Sequence, residues 1–195
     1  MGQDPISLII STFGNLYAFM VVLRFLLQLS QADYYNPISQ AVVKVTSVPL
    51  APLQKLLPRM GRWDLSALIL AILVKFATFM LLVLVSSHQG YPDLIMLLAV
   101  SALGVVDMIL TVYFWAVLGA VIISWVAPNS YHPAPQLLLQ LTEPLFALVR
   151  KVIPPLGGLD LSPIFIFLAI QIIQAQLSML APLLVFIAGR ATICC

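Results

Sequence analysis

The stretch PLAPLQKLLPRMGRWDLS, Pro49–Ser66, returns later in the chain as PLFALVRKVIPPLGGLDLS, Pro144–Ser162. Lys55 pairs with Lys151, Pro58 with Pro154, Asp64 with Asp160 and Ser66 with Ser162, each pair 96 positions apart by subtraction of the residue numbers. The same offset pairs Tyr17 with Tyr113, Asn36 with His132 and Pro37 with Pro133, while Pro49 and Pro144 fall one residue out of step. The chain therefore reads as a tandem duplication, with units at 1–91 and 92–195, and its function as the work of two similar halves.

Outward from the repeated stretch, the composition sets the solvent. Of 195 residues, 62% are hydrophobic and 8% are charged, whereas soluble domains carry about a quarter charged residues. The chain is thus an integral membrane protein, and a formal charge of +2 spread through it gives no ground for nucleic-acid contact. The two cysteines, Cys194 and Cys195, are adjacent at the end and cannot staple a fold; no role is assigned to them.

Four apolar runs are long enough to cross a hydrocarbon core, which takes about 20 helical residues. They cover about 6–29, 65–85, 102–126 and 161–187. The first has no cations before it and no small-residue cleavage pattern after it, so it reads as an uncleaved span. Arg24, near its end, is expected to snorkel to the headgroups. The third lies in a 33-residue apolar stretch, Leu94–Val126. Alignment to the first span leaves Asp93–Ser101 as an outer extension, tilted or lying on the surface.

Between the spans of each unit lies a polar, proline-punctuated segment, at 36–58 and again at 132–154. Asn36 followed by Pro37 is an N-cap with proline at the first helical position. Ile38, Ala41, Val42 and Val45 share one helical face, and so do their repeat partners Ala134, Leu137, Leu138 and Leu141. Pro49 and Pro52 are expected to end the first helix, leaving a second short one before Pro58. The reading is a short amphipathic helical hairpin in each unit, interfacial or dipping into one leaflet. The fold class is then an all-α membrane protein, four transmembrane helices in two parallel tandem repeats. Lys44, Lys55, Arg59, Arg62, Arg150 and Lys151 flank the spans on the hairpin side, which places both hairpins in the cytoplasm and both termini outside.

Chemistry-bearing residues are few. Lys75 falls near the middle of the second span, where a cation costs about 3 kcal/mol on insertion scales and must face the bundle interior. Gln171 occupies its repeat position, and Gln171, Gln174 and Ser178 form a polar stripe at helical spacing. With Thr78 these make a candidate intramembrane polar cluster. Two readings stay open for it: a small ion or water path, or hydrogen bonds that join two spans. Asp64 and Asp160 sit where helix caps belong. Lys55, Arg59, Arg62, Arg150 and Lys151 are candidate contacts for a membrane or cytoplasmic protein or for anionic membrane lipid, and topology alone also accounts for them. A second copy of the chain is a further candidate partner. No phosphate loop, nucleophile elbow or metal-ligand spacing appears, and His88 and His132 are the only histidines. No enzyme activity, metal or cofactor is expected.

The assembled pattern resembles the YggT family of small membrane proteins. It is carried by Asn36, Pro37, Pro49, Leu50, Lys55, Pro58, Gly61, Asp64, Leu65 and Ser66, and again by Ser124, Trp125, His132, Pro133, Thr142, Glu143, Pro144, Leu145, Arg150, Lys151, Pro154, Gly157, Asp160 and Ser162. In this chain Ala120 stands opposite Arg24, where family members often keep an arginine. The resemblance implies a bacterial inner (plasma) membrane protein linked to osmotic stress tolerance or to envelope and division organisation. It names no enzyme activity and no site. The preferred reading is a membrane scaffold or assembly factor whose docking surface includes Leu53, Leu56, Val149 and Val152. The alternatives are a small ion channel or transporter with a polar path at Lys75 and Gln171, and, from plastid relatives, a haem or cytochrome assembly accessory that would use His132.

Overall fold

A computed structural model describes residues 4–57, 63–85, 93–126, 132–153 and 160–191, with side chains as far as residue 180. The described residues are all-helical: α1 Pro5–Leu29, α2 Pro37–Leu56, α3 Leu65–Val85, α4 Leu94–Val126, α5 Pro133–Val152 and α6 Ser162–Ala191. Helices α1, α3, α4 and α6 are long and apolar enough to cross a membrane. Their apolar residues run right round each helix, as lipid on one side and protein on the other demand.

Packing follows the repeat. Helix α3 packs on α1 within the first unit and on α4 across to the second, and α6 packs on α4 as α3 does on α1. Leu70 and its repeat partner Ile166 are both buried in the core. At Gly14 the backbones of α1 and α3 come so close that a Cβ there would collide with Thr78; small residues permit such approach between membrane helices. Between the units, Asn36 Nδ2 donates to the Pro133 carbonyl at 2.7 Å and the Asp33 N–H to Gln140 Oε1 at 2.8 Å, so α2 and α5 start side by side.

The expected hairpins at 36–58 and 132–154 are each a single 20-residue helix, α2 and α5. Pro49, Pro52 and Pro144 lie inside these helices and do not end them. An internal proline removes one donor and orphans the carbonyl four residues earlier. For Pro49 and Pro52 those carbonyls belong to Val45 and Val48, both exposed, so surroundings outside the core can satisfy them. What does end the helices is the residue before the next proline. Leu57 and Ile153 precede Pro58 and Pro154, and both are extended, the conformation that a following proline imposes. Pro58 and Pro154 lie outside the described residues. The third apolar stretch is one unbroken helix, so the outer extension continues the span and does not lie apart on the surface. Its 33 residues reach about 50 Å, against a hydrocarbon core of about 30 Å, so α4 tilts or overhangs the bilayer.

Arg24 does not snorkel. It is 8% exposed and lies beneath α2, where Nη1 donates to the Val43 carbonyl at 3.1 Å and to Thr46 Oγ1 at 2.9 Å. Thr46 in turn donates to the Val42 carbonyl at 2.7 Å. In the second unit the threonine survives as Thr142, fully buried and bonded to Leu138, but the arginine is Ala120.

The second unit places its arginine elsewhere. Arg150 Nη2 and Nε donate to Asp160 Oδ2 at 2.7 and 2.9 Å, Nη1 reaches Glu143 at 3.5 Å, and the guanidinium lies over Phe146. Gln54 holds the repeat position of Arg150, and its Nε2 donates to Asp64 Oδ2 at 3.4 Å. The α2–α3 and α5–α6 corners are thus closed by the same pair of positions, weakly in one copy and with charge in the other. Both carboxylates also cap: Asp64 accepts from the Ala67 N–H at 3.3 Å, Asp160 from the Ser162 N–H at 2.9 Å. Asn36 caps α2 by accepting from Ile38 N–H at 2.9 Å, whereas His132 caps α5 by position without a side-chain cap bond.

Two outcomes follow. Arg24→Met removes charged hydrogen bonds from a buried site and is expected to destabilise the protein by about 2 kcal/mol; thermal unfolding and protease sensitivity of the 30–36 corner check this, and an unchanged midpoint would contradict it. Burial pushes the Asp160 carboxyl up, but its hydrogen bonds to Ser162 and the Arg150 guanidinium outweigh this and hold it below the ordinary 3.8. A carboxyl lowered in the folded state contributes stability that is complete above its unfolded value and is lost as pH falls through the folded one. The wild type is therefore expected to lose stability below pH 3.8 more steeply than Asp160→Asn.

Candidate functional site

Between the two units lies an open cavity of about 730 Å³, walled by α1, α3, α4 and α5 and touched by Ile38 of α2. One end is polar. Asn15 comes from α1, Lys75 from α3, and Asp107 and Thr111 from α4, one turn apart. Lys75 Nζ donates to Asn15 Oδ1 at 2.7 Å, and Asp107 lines the same end of the cavity with the opposite charge. The lysine stem passes Gly104 of α4, where a Cβ would stand 4.0 Å from Lys75 Cε, in ordinary contact. From the far side of α4, Gln174 Nε2 donates to Asp107 Oδ1 and to Thr111 Oγ1, both at 3.1 Å. A lysine and an aspartate inside a span are each costly, and facing each other among amide and hydroxyl groups reduces that cost.

The remainder of the wall is apolar. Phe19, Leu23, Val112 and Trp115 line its middle, and Leu137, Leu138 and Leu141 of α5 close the end away from Lys75. The cavity can hold an apolar body that carries a polar group at one end. It offers no ladder of polar atoms from one end to the other.

The expected cluster is divided among different places. Lys75 lines the cavity, and Gln174 reaches it through Asp107 and Thr111. Thr78 is buried against Gly14, with its hydroxyl bonded to the Val74 carbonyl at 2.8 Å, so it belongs to the helix contact. Gln171 faces a separate recess of about 250 Å³ with Thr111, Trp115 and Gln174. Ser178 is exposed and bonds its own helix at Ala175. Lys75 and Gln171, though repeat partners, do not line one path.

Asn15, Asp107 and Thr111 are the members that reading each span separately misses. The offset carries the signal: Asn15 and Thr111 are repeat partners, as are Thr78 and Gln174. Polar positions therefore recur in register on all four spans. Among the candidate contacts, Lys55 and Lys151 are exposed in the last turns of α2 and α5, where a cation also suits the helix dipole. Arg150 is engaged with Asp160 and Glu143, and Arg59 and Arg62 lie outside the described residues. Leu56 and Val152 are 78% and 80% exposed, whereas Leu53 and Val149 pack against the core. No group of three metal-ligating side chains occurs among the described residues.

With this geometry in hand, the chain can be set beside known proteins. It is 46% identical over 166 residues to an uncharacterized protein of Pseudomonas aeruginosa, covering 85% of this chain and 84% of the relative. It is 36% identical over 169 residues to an uncharacterized protein encoded in the proC 3′ region of Vibrio alginolyticus, covering 87% and 91%. It is 31% identical over 173 residues to the uncharacterized protein YggT of Escherichia coli K12, covering 88% of each. No solved structure matches it. The CCB3/YggT family model matches residues 3–85 and again 99–185, one match per repeat. Matched twice along nearly its whole length, the chain belongs to the CCB3/YggT family.

Proposed function

We propose that the protein is a non-enzymatic membrane scaffold or assembly factor that seats an apolar membrane segment in the cavity between its two repeats. The observation that carries this reading is the division of the cavity wall. Its polar groups sit at one end and bond one another, and apolar side chains line the rest. An ion would have to shed its hydration along the apolar part, at a cost the wall does not offset. An apolar segment loses nothing there. Leu56 and Val152, exposed beside Lys55 and Lys151, add a second contact strip on α2 and α5. A small channel or transporter is supported only by the reach of the cavity to Lys75, and a cytochrome-assembly role only by His132 at the start of α5. The proposed setting is a bacterial inner membrane with α2 and α5 on the cytoplasmic side, in envelope organisation or osmotic stress tolerance.

Photoreactive residues at Leu56 and Val152, in native membranes, are expected to capture the same membrane or cytoplasmic protein. Capture of lipid alone from both would contradict a scaffold. In the cavity, Lys75→Met leaves Asp107 without its counter-charge and is expected to destabilise the protein by up to about 3 kcal/mol, read as a lower unfolding midpoint. Adding Asp107→Asn removes the stranded charge and restores most of the loss. Unchanged folding in the single variant, with a change in ion movement, would favour a path instead.

A further inference from the structure

We propose that a second copy of the chain lays its α1 along the exposed face of α6, repeating between chains the α3·α4 contact made within one. The offset of 96 relates each helix of the first unit to one of the second, so each face has a counterpart to compare. Leu68, Ile72 and Lys75, on the side of α3 that meets Gly104, are half-buried. Their counterparts Ile164, Leu168 and Gln171 on α6 are exposed. The complementary faces agree. Val112 of α4 and Leu141 of α5 line the inter-repeat cavity and are 8% and 3% exposed. Their counterparts, Leu16 of α1 and Val45 of α2, are 53% and 52% exposed. One chain thus carries both halves of an interface it has already used once, and both halves are apolar and unoccupied by its own residues. Pairing of a face with its complement closes into a ring where the rotation between repeats allows it and runs on as an open series where it does not; the proposal is the closed ring of two chains.

The recess beside Gln171 points the same way. Its walls, Thr111, Trp115 and Gln171, are the repeat partners of Asn15, Phe19 and Lys75 in the main cavity. It is about 250 Å³ where the main cavity is about 730 Å³, because nothing stands where α4 and α5 would be. The partner copy's α1 and α2 supply that wall, and with it the symmetric dimer gains two further polar-ended cavities. Repetition is not exact, since Leu8 of the partner copy would stand where Gly104 stands. Gln171, uncharged and exposed, can yield to it.

A photoreactive residue at Leu168 in the purified full-length chain tests this, with Ile173 as control because its counterpart Ala77 is itself exposed. The expected result is a covalent dimer from position 168, its linkage mapped to α1 of the second copy, and at least tenfold less from 173. Lipid adducts alone, linkage mapped to another helix, or equal yield from both positions would overturn the proposal. Native mass of the unmodified chain gives an independent reading: two chains support it, one chain or an open series overturns it.

An independent set of residues points to a phosphate site at the α1–α2 corner. A pocket of about 680 Å³ there is lined by Arg24, Gln28, Gln31, Tyr34 and Ser39, and no carboxylate lines it. Ser39 is 4% exposed and its Oγ has no hydrogen-bond partner, an arrangement that demands an acceptor. Gln31 turns this corner at φ 54°, the left-handed region that ordinarily favours glycine. A glutamine held there against its backbone preference keeps an amide at the pocket wall. Buried guanidinium, orphan hydroxyl and amides together suit a phosphate, from a lipid headgroup or free in solution. Unfolding of the detergent-solubilised chain is read with short-chain phosphatidylglycerol, matched diacylglycerol and inorganic phosphate. Stabilisation by phosphatidylglycerol alone identifies a lipid headgroup; stabilisation by inorganic phosphate as well identifies the free anion. Ser39→Ala is expected to weaken either by about tenfold while leaving the Arg24 anchor and the helical content intact. No response to either phosphate-bearing probe, an equal response to diacylglycerol, or full affinity in Ser39→Ala overturns the site.

Discussion

A guanidinium buried under a helix decides how the first repeat is shaped. Helix α2 is too polar to span and too proline-rich to be stable alone, so it needs a fixed place against α1. Arg24 supplies it by bonding the Val43 carbonyl and Thr46. With α2 fixed at its start by Asn36, at its middle by Arg24 and at its end by Asp64, the polypeptide re-enters the bundle at α3 in one register. That register puts Gly14 against Thr78 and brings Lys75 to Asn15. The cavity is a consequence of the register.

The second repeat reaches the same shape by a different distribution of charge. Ala120 stands in the place of Arg24, and the arginine appears in the last turn of α5, where Arg150 closes on Asp160. Its counterpart in the first repeat is the weaker Gln54–Asp64 bond. Each unit therefore sets one arginine on its amphipathic helix, against the middle of α2 in the first and from the last turn of α5 in the second. Duplication followed by such drift makes the halves mechanically alike and chemically distinct.

Much of this was legible before any coordinates. The four spans, the duplication and the capping positions of Asn36, Asp64 and Asp160 rest on local rules of length, period and donor geometry, which tertiary structure did not override. Three features were not legible. Helix α2 runs through Pro49 and Pro52 because the carbonyls those prolines orphan are on exposed Val45 and Val48, and exposure is a property of the packed chain. Arg24 is buried because Thr46 and Val43 happen to stand above it, not because of its depth in the span. Asn15 and Asp107 look like isolated polar interruptions of apolar runs, and become a cluster only when α1, α3 and α4 are brought together.

The central claim is that the cavity seats a membrane segment and does not conduct. Ion flux through the purified protein in proteoliposomes, under an imposed gradient of K⁺, Na⁺ or H⁺, measures this directly. The account predicts leakage no greater than in protein-free vesicles, and the same for Lys75→Met once it is folded. Protein-dependent flux that Lys75→Met abolishes would contradict it and make the polar end of the cavity part of a pore.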